Sequence, residues 1–218
     1  MKKLVLFLAI LFCFLVSACQ IQTATPDQLS AEQINEFRKE YPLWDAPVSM
    51  EPINNVEDLI KLSDFSSLVV ISTNGALHTV DFEISPFGIS VESFEDSMTA
   101  AYLPVLIDQV LYTCDQVTVG DTLEIYIPPA FSDIVSNLSS YNGTYVCVLR
   151  ELNETARDYS ASEGISCKYY CTPYYMAYLT EDSYLVSMTD MMLFETYTGK
   201  RLDDLIQDVD VKLTALGR

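Results

Sequence analysis

Four of the six cysteines, a single histidine, many carboxylates and a run of tyrosines are the side chains of this 218-residue sequence best suited to chemistry. Cys114, Cys147, Cys167 and Cys171 can be read three ways. On an exported chain they suit two disulfides, with Cys167-Lys-Tyr-Tyr-Cys171 closing a small loop and Cys114 stapled to Cys147. They also suit buried free thiols, which pack as small apolar groups. A four-cysteine zinc centre is the third reading, but Cys114 and Cys147 are too far apart in sequence to form a second compact half-site, so no metal is expected. His78 is the only imidazole, so any Ser-His-Asp or Cys-His centre would have to use it. No motif surrounds it, and a surface histidine is the expectation. Carboxylate groups such as Glu92, Glu95 and Asp96, or Asp203, Asp204 and Asp208, resemble glycosidase pairs. Among 31 acids such groups arise by chance, and those after residue 202 suit the start of a helix. Tyr169, Tyr170, Tyr174, Tyr175, Tyr178 and Tyr184 form the cluster most suggestive of binding, since a phenol ring offers a flat apolar face and a polar tip to a sugar or peptide. Strand packing is the competing reading. The sequence contains no phosphate-binding glycine loop, no His-Glu-x-x-His and no nucleophile elbow. No enzymatic activity and no cofactor are expected.

The N-terminus carries an address. Lys2 and Lys3 precede a short apolar run from Leu4 to Val16, too short for a comfortable permanent span. It ends at Val16-Ser17-Ala18-Cys19, which resembles the lipobox of bacterial lipoproteins. The resemblance implies cleavage before Cys19, a palmitate-bearing lipid anchor on that thiol, and a place on the extracytoplasmic face of the cell membrane. Two or more acyl chains hold a protein stably where one does not. Gln20 to Gln28 is polar and reads as a tether.

Cleavage removes Lys2 and Lys3 and moves the formal charge from −19 to −21. So acidic a surface argues against nucleic acid, whose phosphates need basic partners, and against lying flat on anionic lipid. Metal ions, basic peptides and polyamines are electrostatically allowed. Half the residues are hydrophobic, enough for a substantial core.

The positioning elements follow from pattern. Ser30-Ala-Glu-Gln33 is a capping box opening a helix that Pro42 ends, and the only tryptophan, Trp44, falls in the loop beyond. A second short helix fits Asn55 to Ser63. Leu68–Thr73 reads as a strand interrupted at Asn74-Gly75, a hairpin or bulge signal. Residues 81–97 read as an excursion. Ala101–Thr113 is the longest β run, where Pro104 signals an edge or bulge. Leu123–Ile127, Thr144–Leu149, Tyr174–Leu179 and Ser183–Met188 complete the strands. Leu202, Leu205, Ile206, Val209 and Leu213 recur with helical spacing. The sequons at Asn137, Asn142 and Asn153 are read as chance matches.

The helix running into Ser63-Asp64, the valine-rich strand, the long strand ending Val110-Leu111, Val119-Gly-Asp and Gly143-Thr-Tyr-Val together resemble a group of small Gram-positive extracytoplasmic lipoproteins. The same order is distantly similar to netrin-like domains, the fold of tissue inhibitors of metalloproteinases. A Lys-Gly pair usually follows the long strand in the group, and Tyr112-Thr113-Cys114 stands there instead. Metalloproteinase inhibition needs a free cysteine amine, which acylation of Cys19 would remove. The resemblance therefore implies a fold and a binding role. The expected architecture is mainly β (α+β), a single OB-like barrel of five to six strands with short N-terminal helices and a C-terminal helix. Its divisions are a signal peptide (1–18), a lipidated cysteine and tether (19–29), a helical segment (30–64), the barrel (65–198) and the final helix (199–218). The expected function is a membrane-anchored, non-enzymatic binding or interaction module whose partner is an envelope protein, peptide or glycan. The alternative is a metal- or redox-active module built on the four cysteines.

Overall fold

The computed structural model describes residues 26–43, 53–61, 65–82, 98–114, 116–128, 143–190 and 193–217. Cys19, Trp44, the acidic stretch holding Glu92, Glu95 and Asp96, and the sequons at Asn137 and Asn142 lie outside them.

Five strands close a barrel. β1 (Phe65–Thr73) pairs antiparallel with both β3 (Met98–Thr113) and β5 (Thr144–Glu151). β3 continues antiparallel onto β4 (Thr122–Ile127), β4 runs parallel to β6 (Cys167–Tyr170), and β6 returns antiparallel to β5. That ring is the OB-like α+β fold expected from the strand pattern. Outside it, β2 (His78–Phe82) lies along the first half of β3, while β7 (Met176–Leu179) and β8 (Leu185–Ser187) extend from β5.

Asn74-Gly75 does not close a hairpin between its flanking strands. β1 and β2 both pair with β3, on successive stretches, and the chain turns the corner with Gly75 at φ +146°. Pro104 sits where β3 passes from β2 at Tyr102 to β1 at Val105. A missing N–H is tolerated at such a junction. Two register shifts in the β1–β3 pairing, at Leu68/Val69 and Val70/Ile71, bend this long strand around the barrel.

Alternation puts Leu103, Val105, Ile107, Ile125, Ile127 and the fully buried Tyr145 into the core. Three helices are packing pieces. α1 (Ala31–Phe37) carries the expected capping box, Ser30 Oγ accepting from Gln33 N and Gln33 Oε1 from Ser30 N. α2 (Val56–Lys61) buries Val56, Leu59 and Ile60. The last helix, here α4 (Leu202–Ala215), buries Leu202, Leu205 and Val209. Glu57 joins these two, accepting from Lys61 on its own helix and from Lys212 at 3.0 Å across to α4.

α3 (Glu154–Ser162) has no counterpart in the sequence reading. Its signal was Asn153, which caps it by accepting from Ala156 N at 2.8 Å. α3 shields a second, smaller core of Tyr102, Tyr126, Leu152, Ala156 and Cys167, with Tyr102 Oη 3.2 Å from Ser160 Oγ.

Residues 26–29, read from the sequence as the end of a tether, are docked on the barrel. Pro26 O accepts from the Tyr184 hydroxyl, Gln28 bridges Lys200, and Leu29 N donates to Gly199 O at 2.8 Å. Leu29 is buried, so the chain is already docked by residue 26. Among the described residues no helix is long and apolar enough to cross a membrane.

Candidate functional site: a tyrosine-edged acidic cleft

The six clustered tyrosines do not form an open stacking platform. Tyr174, Tyr175, Tyr178 and Tyr184 are each 1% exposed, Tyr169 is 3% exposed, and Tyr170 is half-buried. The turn at Leu193–Tyr197 packs on β8 of the β5–β7–β8 extension and covers part of the face that a free sheet would leave open. Packing wins because each buried ring removes a large apolar area from water, and two of the hydroxyls reach backbone acceptors at the rim. Tyr178 donates to Pro42 O at 3.5 Å and Tyr184 to Pro26 O.

Two of the six nevertheless edge clefts. The first, of ≈ 500 Å³, lies where the docked N-terminal segment meets the barrel wall. Glu40 and Tyr41 form one side, and Thr144, Tyr178, Thr180 and Glu181 the other. The sides are tied together by ring contact, Tyr41 to Tyr178 with centroids 5.2 Å apart, and Tyr178 meets Tyr145 behind it at 5.8 Å. Arg38 fixes the approach of α1 by donating to Ser187 O and, at 3.4 Å, to Tyr41 O. Burial lowers the pKa of its guanidinium, against the opposing influence of Tyr178, Glu195 and Asp190. The charged groups in the cleft lining are Glu40 and Glu181, both exposed, with no lysine or arginine among the described lining residues. Such a cleft favours a cation with an apolar or hydrogen-bonding body.

The second cleft, of ≈ 490 Å³, opens at the parallel β4–β6 junction beside Asp121, Glu124, Ser166, Lys168 and Tyr169. Lys168 Nζ sits 5.0 Å from the centre of the Tyr169 ring. His78 is exposed nearby, its Nε2 3.8 Å from Glu124 Oε1, as a surface histidine with a carboxylate neighbour. A hollow of ≈ 570 Å³ along Gln33, Glu36, Phe37 and Lys39 is walled by α1 and its end alone among the described residues.

The cysteines correct the disulfide expectation. All four are free: Cys114 is exposed, and Cys147, Cys167 and Cys171 are buried. Neither Cys167–Cys171 nor Cys114–Cys147 is at bonding distance. Cys167 belongs to the small core under α3, whereas Cys171 belongs to the main core, so their side chains serve different interiors. Burial raises the Cys167 thiol to about 12, against the lowering effect of the backbone at Tyr169 and Tyr126; its Sγ lies 3.1 Å from both Glu124 O and Tyr169 O. Burial also pushes the Cys147 thiol well up, and contact with Cys171 adds to this. Thiols held protonated are poor nucleophiles and poor metal ligands. Among the described residues no group of three or more His, Cys, Asp or Glu side chains is placed to hold a metal.

The carboxylates after residue 202 have structural work. Asp204 accepts from Arg201 N at 3.0 Å at the start of α4, and Asp208 accepts from the Tyr197 hydroxyl at 2.5 Å. No protein family, no curated protein and no solved structure matches this chain.

Proposed function

We propose that this protein is an extracytoplasmic lipoprotein anchored to the cell membrane through acylated Cys19. In this reading it is a non-enzymatic module that binds a cationic organic group, such as a polyamine or a lysine side chain of a peptide, in the cleft between Glu40 and Glu181. The observation that carries the binding half is the cleft lining: two carboxylates, a tyrosine-edged wall and no described cation to neutralise them. The anchoring half rests on Val16-Ser17-Ala18-Cys19 behind its apolar run. The alternative, a metal or redox module, has less support because Cys114 stands exposed and apart from three buried thiols.

Two assays test the two halves. Metabolic labelling with palmitate should mark the wild-type chain and leave Cys19→Ser unlabelled and released from the membrane fraction. Titration of the mature protein with spermidine and with a trilysine peptide should show saturable binding. Glu40→Gln/Glu181→Gln should weaken it at least tenfold, with steep salt dependence. Equal affinity in the double variant removes the cleft from the reading, and absence of binding to either probe removes the cationic ligand.

A further inference from the structure

The cleft between Glu40 and Glu181 has two sides of unequal firmness. Thr144, Tyr178 and Glu181 belong to β5, to β7 and to the turn after it, and so to the barrel sheet. Glu40 and Tyr41 belong to residues 26–43, which precede every strand. Within that stretch Leu29 alone is buried, and α1 buries no residue. α2 and α4 bury three each. The stretch is held by point contacts instead: Tyr184 on Pro26 O, Leu29 N on Gly199 O, Arg38 on Ser187 O, and the Tyr41 ring on Tyr178. A segment fixed by so little buried apolar surface opens before the barrel does. Nor can α1 stand alone, because seven residues are too few to hold a helix in water. Undocking therefore unravels it and exposes the amides of Ile34, Arg38 and Tyr41, which donate to Ser30 O, Ile34 O and Phe37 O.

Charge works in the same direction. Residues 26–43 carry four acids and two bases, on a chain with 31 acids and 12 bases. Lys39 is engaged by Glu36, and Arg38 by the carbonyls of Tyr41 and Ser187, so neither neutralises Glu40. Among the described residues Glu40 and Glu181 have no ion pair, and they stand on opposite sides of the joint. Their repulsion favours opening, and a cation seated between them reverses it. Resting on the reading of this cleft as a cation site, we infer that residues 26–43 are a strap whose docking is coupled to the ligand. The docked strap completes the site, and the bound cation holds the strap down. One coupling free energy links the two equilibria, so each tightens the other by the same factor. A ligand held only by the docked form, at a hundred times its dissociation constant, suppresses undocking about a hundredfold.

Hydrogen exchange of the full mature protein, read by mass spectrometry, tests this with spermidine and with trilysine as probes. At that excess the amides of residues 30–41 should exchange at least tenfold more slowly, while those of α3 keep their rate. Gly199→Ala, which disturbs the strap and lies outside the cleft lining, should speed exchange in the free protein, and saturating spermidine should slow it by the same factor as in the wild type. Glu40→Gln/Glu181→Gln should lose the protection at equal ionic strength. Saturable binding that the double variant weakens, with exchange over residues 30–41 unmoved by ligand, overturns the coupling and leaves the cleft standing. Protection that persists in the double variant overturns the coupling as a general charge effect. Absence of saturable binding overturns the cleft reading and the coupling with it.

Discussion

Gly199→Ala probes the docking of the N-terminal segment most directly. Gly199 has φ +82°, a conformation that costs an ordinary residue about 1 kcal/mol or more. A Cβ there would also lie 2.8 Å from Ile34 Cδ1, 3.2 Å from Ile34 Cγ1 and 3.4 Å from Leu29 Cβ. The first contact is closer than two carbons tolerate, but Cδ1 is the free end of a side chain and can swing aside. Rotating it off its rotamer costs on the order of 1 kcal/mol more. The sum, roughly 2 kcal/mol, should lower Tm by about 4–8 °C in a domain of this size. The loss should fall on residues 26–43, so limited proteolysis should cleave that segment earlier than the barrel. Ile34→Ala removes the atoms that clash while losing a half-buried side chain. A double-mutant cycle read by thermal unfolding should therefore give a coupling of about 1 kcal/mol, the second substitution being cheaper in the presence of the first. Strict additivity would refute the Ile34–Gly199 contact. An unchanged Tm in Gly199→Ala would refute the docking argument as a whole.

Three further outcomes are expected. Iodoacetamide under native conditions should modify Cys114 and spare Cys147, Cys167 and Cys171, all four reacting after denaturation, as peptide mass mapping will report. Burial and the Asp208 hydrogen bond raise the pKa of Tyr197 above its ordinary 10, so its protonated form is favoured by folding. That contribution is complete below pH 10 and is lost as pH rises through the folded value; Tyr197→Phe should flatten denaturant midpoints measured from pH 9 upward. Glu57 is held down to about 2 by its hydrogen bonds to Lys61 and Lys212, so its contribution is present above pH 4.5 and is lost as pH falls towards 2. Glu57→Gln should reduce the slope of stability against pH in that window, by a small amount because the pair is exposed.

What was legible in the sequence was whatever a short window contains. The capping box at Ser30, the alternation of Leu123 to Ile127 and the apolar stripe of α4 each appear within about a dozen residues, and each element is present. The closed barrel was legible only through the resemblance that the order of these segments carries, not from any one window. α3 was missed because its polar face is long and its apolar contribution small, leaving Asn153 as the only local signal, and that residue also read as a sequon.

The cleft was illegible for a different reason. Its two sides, Glu40–Tyr41 and Tyr178–Glu181, stand well over a hundred residues apart, and their meeting depends on the docking of α1. Tyrosine type and spacing could not separate a binding surface from a core, because the same amphipathic ring serves both. The deciding fact was topological. Once β7 and β8 extend from β5 and are covered by the turn at Leu193–Tyr197, Tyr174, Tyr175, Tyr178 and Tyr184 face the interior, Tyr170 stays half-buried, and Tyr169 and Tyr178 line the two clefts. The same covering creates the anchorage for Pro26 on Tyr184 and for Leu29 on Gly199. Closing the core and fixing the N-terminal exit are therefore one structural event. A substitution that loosens β8 should open the cleft and release the mooring together, whereas one confined to α3 should leave both intact.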